Sequence, residues 1–378
     1  MPEALQDLRI VDFSRVLAGP LATMVLGDLG ADVVKVERPG HGDDTRAWGP
    51  PWDETGLATY FQAVNRNKSS VALDLRSPAD LERARDLIAG ADVVVENFRP
   101  GVMDRLGLGY DSVRASNAAL VYCSITGFGA GAGATLAGYD LLVQALGGLM
   151  SITGAPDGPP EKVGVALVDV ICGLFAGIGI LAALRHRERT GEGQRVEVDL
   201  LSSLLAGLVN QGSAFTLAGA VAGRMGSAHP SIAPYELLAA ADGDIVVAVG
   251  TDAQFNALCA VLGSPDLASD PSYATNPARV ANRVRLRELI AAQLQLRPAA
   301  QWVAELARVG VPAGEVNDIA GAFAFALAER LGLEPIVEVP RPDGGVARLT
   351  RNPIRLSAAP ATYRIAPWRL PGGEPSAL

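Results

Sequence analysis

Cysteine is scarce in this chain. Its three thiols, Cys123, Cys172 and Cys259, form no C-x-x-C pair and each stands in an apolar run. That excludes a disulfide framework and predicts reduced core side chains in a cytoplasmic protein. No basic neighbour stands beside any of them to lower a thiol pKa, so none reads as a nucleophile. Histidine is equally rare. His41 and His186 sit among charged neighbours as surface residues, His229 lies between Ala228 and Pro230, and no spacing among the three suits a metal. Long Lys/Arg blocks are missing and the formal charge is −9, which argues against a nucleic-acid partner and leaves room for a local basic cluster holding one phosphorylated ligand. No basic stretch followed by an apolar one opens the chain, so no signal peptide is expected.

What is abundant is apolar surface. With 378 residues, 49% of them hydrophobic and 19% charged, the chain can bury large cores in two domains, and disorder is excluded for most of its length. Leu8–Phe13 reads as a strand, Leu21–Leu29 as a helix closed by Gly30, and Ala31–Glu37 as a second strand. A connection of that length implies parallel pairing. The pattern repeats through a strand at Ser70–Leu75, a helix from Pro78 to Ile88, strands at Ala91–Glu96 and Ala119–Ser124, and a helix around Met103. The fold class expected is α/β, an open and mostly parallel sheet with helices on both faces.

Gly164–Asp169 is a short apolar approach to one carboxylate, and the run from Val170 to Leu184 carries no charge. A long apolar helix should begin at or just after Asp169. The run is too short to span a bilayer comfortably, so it reads as a buried helix and no membrane partner is expected. Asp169 is then either an N-cap or a carboxylate aimed into a pocket. Arg195–Asp199 reads as a strand and Leu200–Leu217 as another apolar helix. The first domain is assigned to residues 1–221. Gly, Ser, His and Pro mark a linker from Ala222 to Pro234, and the smaller domain takes 222–315 with helices over Ala253–Leu262, Arg283–Gln295 and Ala299–Val309. Residues 316–378 should return to the first domain through a helix at Ile319–Leu331, with a fraying tail from Pro367.

Gly127–Ala132 resembles a dinucleotide fingerprint, but no helix opens there and no acid follows about twenty residues on. Gly177–Ala182 lies inside a helix. A phosphate site reads more clearly. Arg15–Pro20, Val36–Gly40, Asn65–Lys68 leading to Arg76, and Glu96–Gly101 with Arg105 place basic residues or turn N–H groups near strand ends, where parallel sheets bind ligands and guanidinium forks match phosphate oxygens.

Taken together, Asp12–Pro20, Gly30–Arg38, Asn65–Lys68, Leu73–Leu75, Asp92–Phe98 and Thr190–Gln194 resemble the family III (CaiB/BaiF-like) CoA-transferases. The resemblance runs from about Leu8 to Asp199 and resumes weakly to the C-terminus. It implies a Rossmann-like large domain, a small domain and a homodimer of two chains threaded as interlocked rings. It implies a coenzyme A site formed by Leu17, Ala18, Arg38, Leu73, Asp74, Leu75, Arg76, Asn97, Phe98, Arg99, Arg105, Ala137, Gly138, Tyr139 and Asp140. Asp169 falls on the family's catalytic aspartate. An aspartate near its ordinary pKa of ~3.9 is ionised at neutral pH and needs no general base to attack a thioester.

Two departures from the family narrow the reading. The glycine lid of formyl-CoA transferases is replaced after the linker by Arg224–Tyr235, a segment resembling the dicarboxylate branch of succinyl-CoA:glutarate and succinyl-CoA:citramalate transferases. His229, Ser227 and Arg224 are its candidate substrate contacts. In the related alpha-methylacyl-CoA racemase a His–Asp pair moves the proton, whereas Tyr139 stands at the His position here. The function expected is CoA transfer from an acyl-CoA to a short dicarboxylic acid through covalent aspartyl intermediates. A racemase and a non-catalytic CoA-binding protein are the alternatives; a dinucleotide oxidoreductase would need an intact fingerprint.

Overall fold

A computed structural model describes residues 3–328 and 331–371 of the chain; the end of the tail expected to fray lies outside them. The chain divides into two units. One comprises the residues up to Leu149, Lys162–Val221 and the chain from Glu334 on; the other comprises Met150–Glu161 and Ala222–Leu333.

The first unit is built on six parallel strands, β1 (Arg9–Asp12), β2 (Asp32–Glu37), β3 (Lys68–Ala72), β4 (Val93–Glu96), β5 (Val121–Thr126) and β6 (Arg195–Asp199), in the order β3-β2-β1-β4-β5-β6. Ile10 pairs with Val33 on one side and Val93 on the other. That order reverses direction between β1 and β4, the switch point where open parallel sheets take their ligands. Alternation explains the layers: Ile10, Val93, Val95, Val121 and Cys123 join one core, whereas Val11, Val94 and Tyr122 join the other. Both faces are buried, which is why these strands read as unbroken apolar runs.

The helices follow in chain order as α1 (Ala18–Asp28), α2 (Thr59–Ala63), α3 (Pro78–Ala89), α4 (Val102–Arg105), α5 (Tyr110–Arg114), α6 (Asp140–Leu146), α7 (Leu149–Ile152), α8 (Leu167–Thr190), α9 (Leu200–Gly207) and α10 (Val209–Ala218). Helix α8 lies in the core against α1. A Cβ on Gly173 would stand 2.5 Å from the carbonyl oxygen of Ala18, so glycine is what lets the two backbones meet. Val168, Cys172, Gly173, Ala176, Ile180, Ala183 and Leu184 of α8 are buried, but Leu174, Phe175, Ile178 and Leu181 are exposed. The helix is 24 residues long, and by length and composition alone could cross a membrane, at about 36 Å against a ~30 Å hydrocarbon core. The uncharged run from Val170 to Leu184 is part of a longer helix, which begins two residues before Asp169 and continues past Leu184 through charged residues.

The apolar stretch after β6 is not one helix. It breaks by 84° between α9 and α10, where Val209 takes a φ of 42°. In the second unit, β7 (Tyr235–Ala239), β8 (Asp244–Ala248) and β9 (Ala313–Glu315) form an antiparallel sheet covered by α11 (Asp252–Val261), α14 (Arg283–Leu294) and α15 (Ala299–Arg308), with α12 (Asp266–Ser269) and α13 (Asn276–Ala281) between them. Because β9 is the edge strand on β8, the chain does not leave this unit near Val316; α16 (Ile319–Leu327) still belongs to it, and the return begins at Glu334. There β10 (Ile336–Pro340) and β11 (Val346–Thr350) form a hairpin.

Candidate active site

Two cavities open at the carboxyl ends of β1, β2, β4 and β5. One, of about 310 Å³, is lined by Leu17, Ala18, Asn97, Phe98, Arg99, Ala137, Gly138, Tyr139, Asp140 and Asp169, among others. The second, of about 460 Å³, is lined by Arg38, Leu73, Asp74, Leu75, Arg76, Phe98 and Arg105. Arg15 and Phe98 line both, with the Arg15 guanidinium 4.8 Å from the Phe98 ring centroid. All fifteen residues expected around coenzyme A therefore lie on one or the other cavity wall.

The loop after β1 is held in a strained shape. Val16 has a φ of 69°, a conformation costly for a β-branched residue. Asn97 clamps its neighbour, since Nδ2 donates to the Arg15 carbonyl and Oδ1 accepts the Arg15 N–H, both at 2.8 Å. The Asp43 carboxylate accepts the Val16 N–H. Below the loop, buried Asp12 accepts from the Ser14 N–H and hydroxyl, from Thr23 Oγ1 at 2.7 Å and from Lys68 Nζ at 3.1 Å. Burial alone would raise its pKa, but Lys68, Lys35 and the two hydroxyls outweigh it and hold it at about 2. Lys35 Nζ bridges Asp43 at 2.9 Å and donates to the Ser14 carbonyl.

Two of the cations expected near phosphate are thus structural. Lys68 is buried on Asp12, and Arg66 is buried on Asp28 at 2.6 Å. The Asn65–Lys68 motif leads into β3 and faces the core, because unpaired carboxylates at Asp12 and Asp28 could not be buried without it. The cavity cations are different. Arg15, Arg99 and Arg105 have no acidic partner among the described residues, Arg38 is 3.9 Å from Asp44, and Arg76 pairs with its exposed neighbour Asp74. Together with apolar Leu73, Leu75 and Phe98, they suit a ligand carrying both a purine and phosphates.

Asp169 is the third residue of α8, not its N-cap. The cap position is Ala166, with no side-chain bond of its own. The capping acceptor comes from α6: Asp140 Oδ1 takes the N–H of Val168 at 2.8 Å and of Asp169 at 3.3 Å. That leaves the Asp169 carboxylate, a half-buried group, without a hydrogen-bond donor among the described residues. Burial and the negative charge of Asp140 raise its pKa to about 7. The expectation of an unperturbed carboxylate is corrected; desolvation was not visible in sequence. Tyr60 on α2 was not singled out either, yet its phenol is pushed up by burial and by Asp169, Asp140 and Asp43.

Gly127–Gly138 forms no dinucleotide turn. The two end glycines pack backbone to backbone, so a Cβ on either would collide with the other. Gln144, also unforeseen, is buried one turn beyond Asp140; the i, i+4 spacing was its only signal. The three substrate candidates lie in the second unit and are used locally there. Arg224 Nε donates to the Ala155 carbonyl, Ser227 Oγ accepts the Leu237 N–H, and His229 Nδ1 accepts the Ser231 N–H beside the Tyr235 ring. Among the described residues no group of three or more His, Cys, Asp or Glu side chains could hold a metal ion. The three cysteines are free and buried, and burial raises all three thiols.

The model of CoA-transferase family III matches residues 5–372. The succinate–glutarate CoA-transferase of Agrobacterium fabrum is 44% identical over 365 residues, 95% of this chain and 91% of that protein. The acetyl-CoA:oxalate CoA-transferase of Acetobacter aceti is 42% identical over 93% and 88% of the respective chains. A crystal structure of a CaiB/BaiF family protein from Brucella suis superposes with a TM-score of 0.86 at 44% identity, covering 98% of this chain and 97% of that one. A parallel sheet with cations and a carboxylate free of protein donors at its switch point, in a chain matched along nearly its whole length, places the chain in family III of the CoA-transferases, and it is a CoA-transferase.

Proposed function

We propose that this enzyme moves coenzyme A from a short dicarboxylic acyl-CoA, such as succinyl-CoA, to a second dicarboxylate of the succinate or glutarate kind rather than oxalate, with Asp169 as the covalent carrier. One observation carries the reading. The Asp169 carboxylate has no hydrogen-bond donor among the described residues and lines the cavity that also holds Leu17, Ala18, Asn97 and Arg99. A carboxylate that no protein donor stabilises is a stronger nucleophile than a hydrogen-bonded one.

The ionised carboxylate attacks the thioester carbonyl; the C–S bond breaks and CoA thiolate leaves a mixed anhydride. The thiolate attacks the aspartyl carbonyl of that anhydride, releasing the donor acid and leaving an aspartyl-CoA thioester. An acceptor carboxylate displaces the thiolate again, and the thiolate attacks the acceptor-side carbonyl of the second anhydride. The Asp169 carboxylate is restored and no net proton is consumed. Anhydrides hydrolyse readily, so the cavity must exclude water while they exist.

The experiment is turnover of purified protein with succinyl-CoA against a panel of acids, read by mass spectrometry of new thioesters, with hydroxylamine trapping of the peptide carrying Asp169. Glutarate or a substituted succinate as the best acceptor supports the reading. Oxalate as the best acceptor, which the Acetobacter relative makes the chief rival, overturns the substrate but not the carrier; an unmodified peptide under turnover overturns the carrier. His229→Ala should raise the acceptor KM more for dicarboxylates than for monocarboxylates of equal length, because a remote contact supplies uniform binding.

The working form is a cytoplasmic homodimer. The support is apolar surface too extensive for a lone chain: Leu174, Phe175 and Ile178 on α8, and Leu205, Val209, Phe215 and Leu217 on α9 and α10 are exposed. If the rings interlock, sedimentation on dilution should reveal no folded monomer. Reversible dissociation to folded monomers rules interlocking out.

A further inference from the structure

Gln144 is fully buried on α6. Its Nε2 donates to Asp140 Oδ2 at 2.6 Å, and its Oε1 accepts the Val163 N–H at 2.9 Å. The orientation of the amide is dictated by its partners, since a carboxylate only accepts and a backbone N–H only donates. Asp140 spends its other oxygen on the N–H groups of Val168 and Asp169. A carboxylate anchored through one oxygen alone keeps a broad terminal torsion; anchored through both, on different elements, it does not. One side chain thus ties together α6, the segment that delivers the chain into α8 and, through Asp140, the first turn of α8.

We propose that Gln144 is a positioning residue for the transfer reaction: it locks Asp140 as the cap of α8 and so fixes the turn from which Asp169 attacks. The inference rests on the reading of Asp169 as the carrier. Titratable groups facing Asp169 are Asp140 from α6, Tyr60 from α2 and Cys172 one turn further along α8.

Gln144→Met nearly conserves volume and removes both bonds. It should lower kcat by about 10–100-fold, the scale on which a misplaced reacting group is felt, with the acyl-CoA KM little changed. The acid limb of the kcat/KM profile should move to lower pH as Asp140 is released. Gln144→Glu keeps the acceptor for Val163 but sets a further carboxylate against Asp140, so its limb should move to higher pH. In both variants the amides of Val163, Val168 and Asp169 should exchange faster than in wild type, a readout that involves no chemistry. Added to Asp140→Ala, Gln144→Met should lower kcat no further, because nothing is left for Gln144 to hold.

Wild-type kcat and pH profile in folded Gln144→Met overturn the proposal, as do shifts of the same sign in the Met and Glu variants or a fully multiplicative loss in the double variant. If Gln144→Met does not fold, Gln144→Glu decides by the direction of its limb and its amide exchange. Failure of the carrier reading appears separately, in the hydroxylamine experiment on wild type.

Discussion

Asp140 accepts the backbone N–H of Asp169 through Oδ1 at 3.3 Å, so the side chain that pins the first turn of α8 is also the charge that makes its neighbour reluctant to ionise. The two effects pull in opposite chemical directions. Capping holds the proposed attacking group still, while burial and like charge keep part of the population protonated and spare the rest from being a weak, stabilised base. A neutral cap would hold the turn as well but leave the carboxylate more acidic and less reactive.

The pH profile should carry this signature. In the proposed role Asp169 must be ionised to attack, and with its pKa at about 7 kcat/KM should climb through neutrality and level off above it. Asp140→Asn keeps an oxygen for the cap and removes the charge, so the climb should begin at lower pH. A profile flat from pH 5 to 8 in wild type contradicts the assignment.

Stability should respond to the same group with the opposite sense. The unfolded carboxyl loses its proton near the ordinary value of 3.8 and the folded one near about 7, so between these values the folded state binds more protons and stability falls as pH rises. Asp169→Asn should abolish that loss and, on the proposed role, turnover with it. It should unfold like wild type below pH 4 and be more stable by about 2–4 kcal/mol at pH 8, measured by urea denaturation at both values.

Asp12 behaves in reverse. Its pKa is held at about 2, so its contribution is present above the unfolded value and is lost as pH falls towards 2. Asp12→Asn leaves Lys68 buried without its counter-ion and should cost roughly 3–5 kcal/mol, far more than an exposed carboxylate such as Asp74. Denaturation midpoints within experimental error of wild type would dismiss the buried pair as a support of the β1 loop.

Proton exchange should be absent. Tyr139 is exposed and lines the cavity, and a phenol is a poorer base than an imidazole at neutral pH. Offered a 2-methylacyl-CoA in deuterated water, the enzyme should leave the alpha position unlabelled; deuterium at that carbon revives the racemase alternative.

The sheet was legible because its strands are buried on both faces and leave unbroken runs such as Val93–Val95, and the cavity walls because their residues follow those strands directly. Long-range pairings were not. Nothing near Arg66 announces that its carboxylate partner stands 38 residues earlier, so a guanidinium buried in an ion pair and one waiting for phosphate look alike in sequence. The same blindness misplaced the start of α8, whose cap arrives from 28 residues upstream. The bend after Gly207 was hidden because no charged residue or proline marks it, and the return of the chain was put too early because β9 is three residues long.

The Asp28–Arg66 pair has a consequence for how the chain is made. Asn352 donates to Asp28, Arg66 to the Thr350 carbonyl, and Asn67 to the Thr362 carbonyl, while the Asn67 N–H reaches the carbonyl of Ile365. The first unit on the ribosome is therefore the last to be finished: its sheet can pair early, but a buried arginine and two buried amides wait for residues translated some 300 positions later. A nascent chain stalled before Glu334 carries a half-closed polar cluster.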